Sequence, residues 1–308
     1  MKALVVGYGS IGQRHARILK ELGCKTAIVS RHSDLKEDPC FGTVETGLAE
    51  WRPEYVVVAN KTSEHYGAVT KLAAGGYTGR LLVEKPVFEK AYAFPRGPFS
   101  YAAVGYNLRF HPVVGALRSA LENHAISEAN LRVGQWLPDW RPGTDYRQSS
   151  SAKKADGGGA LRDLSHEIDL ALLLFGPGNS LTATGGRSGK LEIETEDHFD
   201  ITLQTDQGAT AHVTLNYLDQ PAKRTIEVKS DTGTFRADLI KGTLTKDDSL
   251  LVQTRVERDD TYRSQHLAMI NGDTKTLCAI EDGLAVVRLI EAAERSNAAG
   301  GARESLRA

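Results

Sequence analysis

A glycine-rich hexapeptide near the start of the chain has the spacing of a phosphate-binding turn. It spans residues 7–12 (GYGSIG), directly after an apolar run and directly before a helical pattern. In such a turn Gly7 permits the tight bend, Gly9 lets a pyrophosphate approach the main chain, and Gly12 allows close helix–strand packing. The helix that opens at Ser10 and Ile11 adds unpaired N–H groups and the positive end of its dipole. The motif predicts a dinucleotide site.

The residues that follow the second apolar run bear on the choice of cofactor. This run ends in Ser30, Arg31 and His32. An NAD site usually has an acidic residue here for the ribose hydroxyls, whereas an arginine suits a 2′-phosphate. Ser30 and Arg31 therefore favour NADP(H) over NAD. A solvated surface arginine in an enzyme that uses either cofactor is the alternative.

Four further motifs follow in a fixed order along the chain. They are ANKTSEH at residues 59–65, EKP at 84–86, GYNLRFHP at 105–112 and GGGALRDLSHEID at 157–169. Together with the glycine turn, this set resembles the Gfo/Idh/MocA family of oxidoreductases, in its carbohydrate or nucleotide-sugar branch. The resemblance covers nearly the whole chain, and the set is much more specific than any single motif.

The resemblance implies that Lys85, in the EKP motif, lies beside the nicotinamide and the substrate. Its chemistry suits that place, because oxidising an alcohol by hydride transfer requires removal of the hydroxyl proton, and reducing a ketone requires a proton. A partly desolvated lysine can donate to the developing alkoxide. A surface cation at a strand end is the alternative for Lys85. The family also suggests a cis peptide before Pro86.

His166 is implied as the catalytic histidine, because it follows the glycine run and can shuttle a proton near neutral pH. Many relatives have an aspartate four residues before this histidine, whereas this chain has Asp163 three before it and Asp169 three after it. Both spacings allow a shared helix face. Asp163 is taken as the catalytic partner and Asp169 as a substrate ligand. The alternatives are that Asp169 rather than Asp163 orients His166, or that Asp169 has a structural role.

The remaining candidate residues fall into a cofactor group and a substrate group. By family position the cofactor group includes Asn60, His65 and Glu84. The substrate group includes Arg109, Tyr146 and Lys153, which could bind hydroxyls or a phosphate or carboxylate. Tyr146 and Lys153 lie in a polar, aromatic stretch at residues 136–154.

The hydrophobic pattern places these motifs in two domains. In the first, apolar runs at residues 2–7, 26–30, 55–59, 79–83 and 100–105 alternate with helical patterns, which predicts a Rossmann, doubly wound parallel sheet. Residues 86–100 contain three prolines, so we expect no crossover helix there. The second half has alternating strands joined by short turns, with one helix expected near residues 159–175. This pattern predicts an α+β domain with a large, mostly antiparallel open sheet. The expected domains are 1–108 and 109–308.

Composition and charge exclude several classes of protein. The 38 lysines and arginines nearly balance the 39 aspartates and glutamates, so nothing favours nucleic acid or an anionic membrane as partner. Three scattered cysteines predict neither a disulfide framework nor a zinc site. The histidines lack the spacing of a metal motif. With no signal peptide or apolar span, we expect a cytoplasmic protein that is a homodimer or homotetramer.

The sequence therefore predicts an NAD(P)-dependent dehydrogenase or reductase that acts on a sugar or nucleotide-sugar. Two alternatives stay open. One is a redox-neutral reaction, in which a tightly held NAD assists an elimination or hydrolysis. The other is a dinucleotide-binding regulator without catalysis, although such proteins tend to lose the lysine or the histidine.

Overall fold

Eight α-helices and sixteen strands, with five short 3-10 helices and one π-helical turn, make up the secondary structure of the described residues. The computed structural model describes residues 1–31 and 38–306. The strands are β1 (Lys2–Val6), β2 (Lys25–Val29), β3 (Cys40–Phe41), β4 (Tyr55–Val58), β5 (Arg80–Val83), β6 (Tyr101–Val104), β7 (Ile126–Gly134), β8 (Gly178–Gly186), β9 (His198–Thr205), β10 (Thr210–Asn216), β11 (Lys223–Ser230), β12 (Gly233–Asp238), β13 (Thr243–Lys246), β14 (Ser249–Gln253), β15 (Cys278–Ala279) and β16 (Glu304–Ser305). The helices are α1 (Ser10–Glu21), α2 (Val44–Thr46), α3 (Thr62–Ala74), α4 (Pro112–Ala120), α5 (Ala160–Asp163), α6 (His166–Phe175), α7 (Asp260–Asn271) and α8 (Ile280–Ala298).

The chain divides into two compact units. The first comprises Met1–Phe110 and Arg258–Val287, and the second comprises His111–Glu257 and Arg288–Ala308. The first crossing lies two residues beyond the expected boundary at 108/109. The larger difference from the expected domains lies near the end of the chain. There, residues 258–287 pack with the first unit, although they follow residues 111–257 of the second unit in sequence.

The first unit is built on a seven-stranded sheet of order β15-β6-β5-β4-β1-β2-β3. Strands β1 to β6 are parallel, and only β15 pairs antiparallel, with β6. The parallel strands are apolar and buried on both faces, as crossover helices require. The order 3-2-1-4-5-6 is that of the doubly wound dinucleotide fold, in which ligands bind at the carboxyl ends of the strands. The predicted Rossmann sheet is confirmed.

Residues 86–100, all of them described, contain no helix, as their prolines predict. Aromatic side chains pack there instead. The Tyr66 ring on α3 lies 4.7 Å from the Tyr92 ring, with the two planes tilted by 49°. It packs edge-to-face against Phe88 at 5.2 Å, and both distances join ring centroids. Phe94 continues the row to Phe88 and Phe99. This aromatic row provides the apolar contacts that a crossover helix would otherwise make.

The second unit is built on a nine-stranded sheet of order β14-β13-β12-β11-β7-β10-β9-β8-β16. Every neighbouring pair is antiparallel except β7 and β10. Burial alternates along β7, β9 and β10, so each has one apolar, buried face and one more exposed, polar face. The predicted α+β domain with an open antiparallel sheet is confirmed, and β8, β13 and β14 were not foreseen.

The helix expected across residues 159–175 is broken in two. Helix α5 ends at Asp163 and α6 begins at His166. The interruption places Asp163 at the end of one helix and His166 at the start of the next. The side chains therefore do not follow the continuous helical spacing that the sequence suggested.

Candidate functional site

The glycine turn joins β1 to α1 at the carboxyl edge of the parallel sheet. Gly7 has a φ of 98°, which disfavours any other residue, and a Cβ there would lie 2.5 Å from the Asn60 nitrogen. At Gly12 a Cβ would lie 2.2 Å from the Gly7 carbonyl oxygen. Gly9 differs, because a Cβ there would meet no atom of the described residues within 4 Å. Two glycines thus serve close packing, and the third leaves open space in front of the main chain.

The start of α1 offers hydrogen-bond donors at this open space. Gly9 is the N-cap, and within the described residues no side chain caps the helix. The first turn carries no acidic residue, so the dipole is not neutralised there. The free N–H groups of this turn, at Ser10, Ile11 and Gly12, suit a pyrophosphate. The main chain fits a dinucleotide.

Arg31 and Glu64 form an exposed ion pair beside this turn. An Arg31 Nη atom lies 3.4 Å from Glu64 Oε1, and the Arg31 side chain is 89% exposed. The Asn60 amide nitrogen donates to Glu64 Oε2 at 3.2 Å, so the three side chains are linked. Asn60 Oδ1 is buried without a hydrogen-bond partner among the residues described. Glu64 was not among the predicted residues, and His32 lies outside the described part of the chain.

His65 is buried, and its ring nitrogens lie within hydrogen-bond distance of main-chain carbonyl oxygens. Its Nδ1 lies 3.1 Å from the carbonyl oxygens of Pro86 and Val87, and its Nε2 lies 3.1 Å from that of Asn60. Burial lowers the His65 pKa, although these carbonyl contacts oppose the effect. His65 thus connects the segment after β4 to the segment after β5.

Glu84 and Lys85 follow β5 at the same sheet edge. The Lys85 main-chain nitrogen donates to Glu84 Oε2 at 3.1 Å, and Glu84 Oε1 lies 2.8 Å from His15 Nε2. Lys85 is half-buried between buried neighbours, and the Lys85–Pro86 peptide is cis, as the resemblance implied. These residues, Asn60 and the glycine turn all lie at carboxyl ends of β1, β4 and β5, where doubly wound folds bind ligands.

In the second unit Asp163 and His166 lie on either side of the break between α5 and α6. His166 is buried, and Asp163 Oδ2 accepts a hydrogen bond of 2.7 Å from the Tyr217 hydroxyl. Burial raises the Tyr217 pKa far above its usual range, and the nearby Asp163 charge adds to the rise. Tyr217 therefore stays protonated and fixes the Asp163 carboxylate. Tyr217 was not among the predicted site residues.

The polar, aromatic stretch before α5 forms a small cleft within the second unit. The cleft is narrow, with a volume of about 10 Å³, and is lined by residues that include Trp140, Tyr146 and Ser151. The Trp140 ring meets Tyr217 edge-on at 5.2 Å between centroids. Lys153 Nζ donates to Gln148 at 3.1 Å. The cleft is thus connected through Tyr217 to Asp163.

Two of the predicted substrate ligands, Arg109 and Asp169, are buried. Arg109 is buried in the first unit, where its guanidinium donates to Asp282 at 3.0 Å and contacts the Leu277 carbonyl. Asp169 is 1% exposed on α6. Substrate binding by these two residues stays a prediction, and the contacts of Arg109 already give it a role in holding its own unit together.

The second unit carries a sequence match to a known family. Residues 114–236, less than half of the chain, match the GFO/IDH/MocA C-terminal domain. This segment is similar in sequence to that domain. It includes the motif at residues 157–169 and most of the open sheet, so the resemblance to the family is confirmed there.

Solved structures share the fold of the Rossmann unit as well as that of the second unit. GenD2 from gentamicin A biosynthesis, in complex with NAD, superposes with a TM-score of 0.83 at 22% identity, covering 100% of this chain and 97% of GenD2. WlbA dehydrogenase from Bordetella pertussis, in complex with NADH and UDP-GlcNAcA, gives 0.80 at 20% identity, covering 100% and 99%. Levoglucosan dehydrogenase with NADH and levoglucosan gives 0.85 at 15% identity, covering 100% of both chains. No curated protein matches the chain.

The described residues contain neither a cluster suited to a metal ion nor a helix suited to a membrane. No group of three or more histidine, cysteine, aspartate or glutamate side chains there is arranged to hold a metal ion. In the same residues no helix combines the length and the apolar character needed to cross a membrane.

Proposed function

We propose that this protein is an NAD(P)-dependent oxidoreductase, which transfers a hydride between the nicotinamide and a hydroxyl or ketone carbon of a sugar or nucleotide-sugar. The observation that carries the proposal is the open approach at Gly9, at the uncapped start of α1 in a sheet of dinucleotide-binding order. The match to the GFO/IDH/MocA C-terminal domain and the NAD-bound or NADH-bound structures of similar fold support it.

The proposed chemistry divides between hydride and proton. The bound dinucleotide accepts or supplies the hydride. The hydroxyl proton must be removed on oxidation and returned on reduction, and we assign this to Lys85 and His166. Lys85 is half-buried, which suits a group that must be partly desolvated yet reachable. Asp163, held by the Tyr217 hydroxyl, is the proposed orienting carboxylate.

The substrate side of the proposal rests on the cleft of the second unit. Its lining combines the aromatic rings of Trp140 and Tyr146 with the Ser151 hydroxyl, a mixture that suits the apolar faces and hydroxyls of a sugar ring. Lys153, next to the cleft in sequence, is the proposed ligand for a phosphate or carboxylate on the substrate. Arg109 and Asp169 remain proposed substrate ligands, as the family resemblance implies.

For the cofactor we propose a preference for NADP(H). Arg31 is mostly exposed, and its contact with Glu64 is long at 3.4 Å, so a 2′-phosphate can replace that contact. Glu64 weakens the preference, because its carboxylate lies at the same place and repels phosphate.

We further propose that the protein self-associates as a homodimer or homotetramer through the open face of the nine-stranded sheet. Alternate residues of β7, β9 and β10 on that face remain partly exposed. Light scattering coupled to size-exclusion chromatography measures the assembly directly. A monomer at micromolar concentration would contradict this part of the proposal.

The experiment that tests the function combines cofactor binding with turnover. Nucleotide-stripped protein is titrated with NADPH and NADH by nicotinamide fluorescence and then assayed against a panel of sugars and nucleotide-sugars. We expect binding of both, with NADPH tighter by about tenfold, or about 1.4 kcal/mol, and turnover of at least one sugar. If neither nucleotide bound, the oxidoreductase proposal would be withdrawn. Binding without turnover of any sugar, or sugar elimination with no net change in NADH, would favour a regulator or a redox-neutral enzyme instead.

A further inference from the structure

Four buried polar side chains form an unbroken hydrogen-bonded row inside the first unit. The Tyr55 hydroxyl lies 2.9 Å from His266 Nδ1, His266 Nε2 lies 2.8 Å from His15 Nδ1, and His15 Nε2 lies 2.8 Å from Glu84 Oε1. Tyr55, His266 and His15 are completely buried, and Glu84 is 6% exposed. We call this row the buried relay. It ends at Glu84, whose second carboxylate oxygen accepts the Lys85 main-chain N–H.

The buried relay joins elements far apart in sequence. Tyr55 begins β4, His15 lies on α1, and His266 comes from α7, more than 200 residues later. Helix α7 packs into the core of the first unit through Ala268 and Met269. An apolar core could be filled by apolar side chains, and buried polar groups are costly unless all are paired. The relay therefore needs an explanation beyond packing.

The ionisation states of Glu84 and His266 indicate which atom donates in the hydrogen bonds of the relay. Burial alone would raise the Glu84 pKa, but the hydrogen bond from His15 and the Lys85 charge hold it below the usual value, so Glu84 is ionised. His15 Nε2 must then carry the proton that it shares with Glu84. Burial lowers the His266 pKa well below its usual value, so His266 is neutral.

When the protonated Tyr55 hydroxyl donates to the neutral His266, the rest of the row follows. His15 Nδ1 accepts from His266 Nε2–H, and His266 Nδ1 accepts from the Tyr55 hydroxyl, whose pKa burial raises far above its usual value. Each donor then meets one acceptor. The row points from Tyr55 to the carboxylate beside Lys85.

We propose that His15 and His266 are positioning residues, which hold the Glu84 carboxylate and, through its bond to the main chain, set the placement of Lys85 for proton transfer. This inference rests on the proposed function. It assigns a purpose to the return of α7 to the first unit, since α7 supplies the histidine that fixes the orientation of His15. Neither histidine touches the reacting atoms in this proposal.

Two substitutions of His15 separate positioning from simple packing. Glutamine places an amide nitrogen near the position of imidazole Nε2, so His15→Gln keeps a donor for Glu84 and loses the bond to His266. Asparagine places an oxygen near Nδ1, so His15→Asn keeps an acceptor for His266 and loses the donor for Glu84. Both remove one buried hydrogen bond, and a merely structural role predicts similar effects.

The readouts are turnover and the NMR signal of the Lys85 amide in protein labelled with ¹⁵N-lysine. We expect His15→Asn to shift the Lys85 amide and to lower kcat by about tenfold or more, with the KM for the dinucleotide changed by less than about twofold. His15→Gln should leave the amide signal in place and retain kcat within about threefold. Equal losses in both variants, or an unmoved Lys85 amide in His15→Asn, would overturn the proposal.

Two further outcomes keep the test decisive. In wild-type protein labelled with ¹⁵N-histidine, we expect the neutral Nε2–H form for His266, and an Nδ1–H form of His266 would overturn the relay even if neither variant folds. Should the wild-type protein bind NADH and yet convert no sugar, the proposed function fails on its own. The Lys85 amide in the two variants would then still decide the positioning role.

Discussion

The two units present their candidate chemistry in different ways. In the first, the dinucleotide site is formed mainly by main chain, where a turn with φ of 98° at Gly7 and an open approach at Gly9 precede an uncapped helix. In the second, the candidate groups are side chains, and their arrangement depends on contacts such as that of Asp163 with Tyr217. A main-chain site depends on local geometry, whereas a side-chain site depends on tertiary packing.

The largest expected effect comes from removing the proposed proton-transfer lysine of the first unit. Lys85→Ala should lower kcat by about 10²–10⁴-fold while leaving dinucleotide affinity nearly unchanged, because a general acid acts in the transition state. Stopped-flow nicotinamide absorbance with a sugar substrate measures the rate. Lys90→Ala, an exposed lysine in the same segment, is the matched control. An unchanged kcat in Lys85→Ala would remove Lys85 from the mechanism and leave the side chains of the second unit as the only proton-transfer candidates.

The second prediction tests whether the first site really is made of main chain. Gly9 has φ of −70° and ψ of −172°, which any residue can adopt, and open space lies in front of it. Gly9→Ala should therefore fold normally but lower NADH affinity by about tenfold or more, about 1.4 kcal/mol, because the methyl group occupies the approach of the pyrophosphate. Fluorescence titration measures the affinity.

The control for Gly9 is Gly12, where a Cβ would lie 2.2 Å from a carbonyl oxygen. Gly12→Ala should lower the free energy of unfolding by about 1–3 kcal/mol, measured by urea denaturation. Equal NADH affinity in wild type and Gly9→Ala would show that the open space is not the phosphate approach.

This contrast also explains how much could be predicted from the sequence. Gly7, Gly9 and Gly12 were recognisable because their spacing reports a local main-chain geometry. The buried relay was not, because His15 and His266 lie 251 positions apart and form no local motif. The break between α5 and α6 was also missed, since residues 159–175 show a helical pattern throughout.

The third prediction concerns the pH dependence of stability that His111, a residue of the second unit, should cause. His111 caps α4, accepting from the Val113 N–H at Nδ1, while its Nε2–H donates to the Leu239 carbonyl at 3.2 Å. Burial lowers the His111 pKa, although the Leu239 contact opposes the effect. The folded protein thus binds this proton less readily than the unfolded chain. Its contribution to stability is complete above the unfolded value of about 6.5 and is lost as the pH falls through the range below it.

His111→Asn keeps an oxygen for the cap and removes the titrating group. Between pH 6.5 and the lowered pKa, we expect the slope of unfolding free energy against pH to decrease by up to about 1.4 kcal/mol per pH unit. Urea denaturation at several pH values measures the slope. His212→Asn, at a partly exposed sheet position, is the control. An identical slope in wild type and His111→Asn would show that His111 titrates alike in both states.

The smallest expected effect is at the exposed side-chain pair of the dinucleotide site, Arg31 and Glu64. The Arg31–Glu64 contact is long and exposed, and such pairs contribute about 0.2–1 kcal/mol. Arg31→Ala should weaken NADPH binding by about two- to fivefold without changing NADH binding, whereas Arg96→Ala, an exposed arginine in the segment after β5, should change neither. Glu64→Gln should strengthen NADPH binding, because it removes the carboxylate that competes with the 2′-phosphate for Arg31.

If Glu64→Gln instead weakened NADH binding and left NADPH unchanged, Glu64 would be the acidic residue that holds the ribose hydroxyls. The site would then be one for NAD, with its acidic residue supplied by α3 rather than by the end of β2.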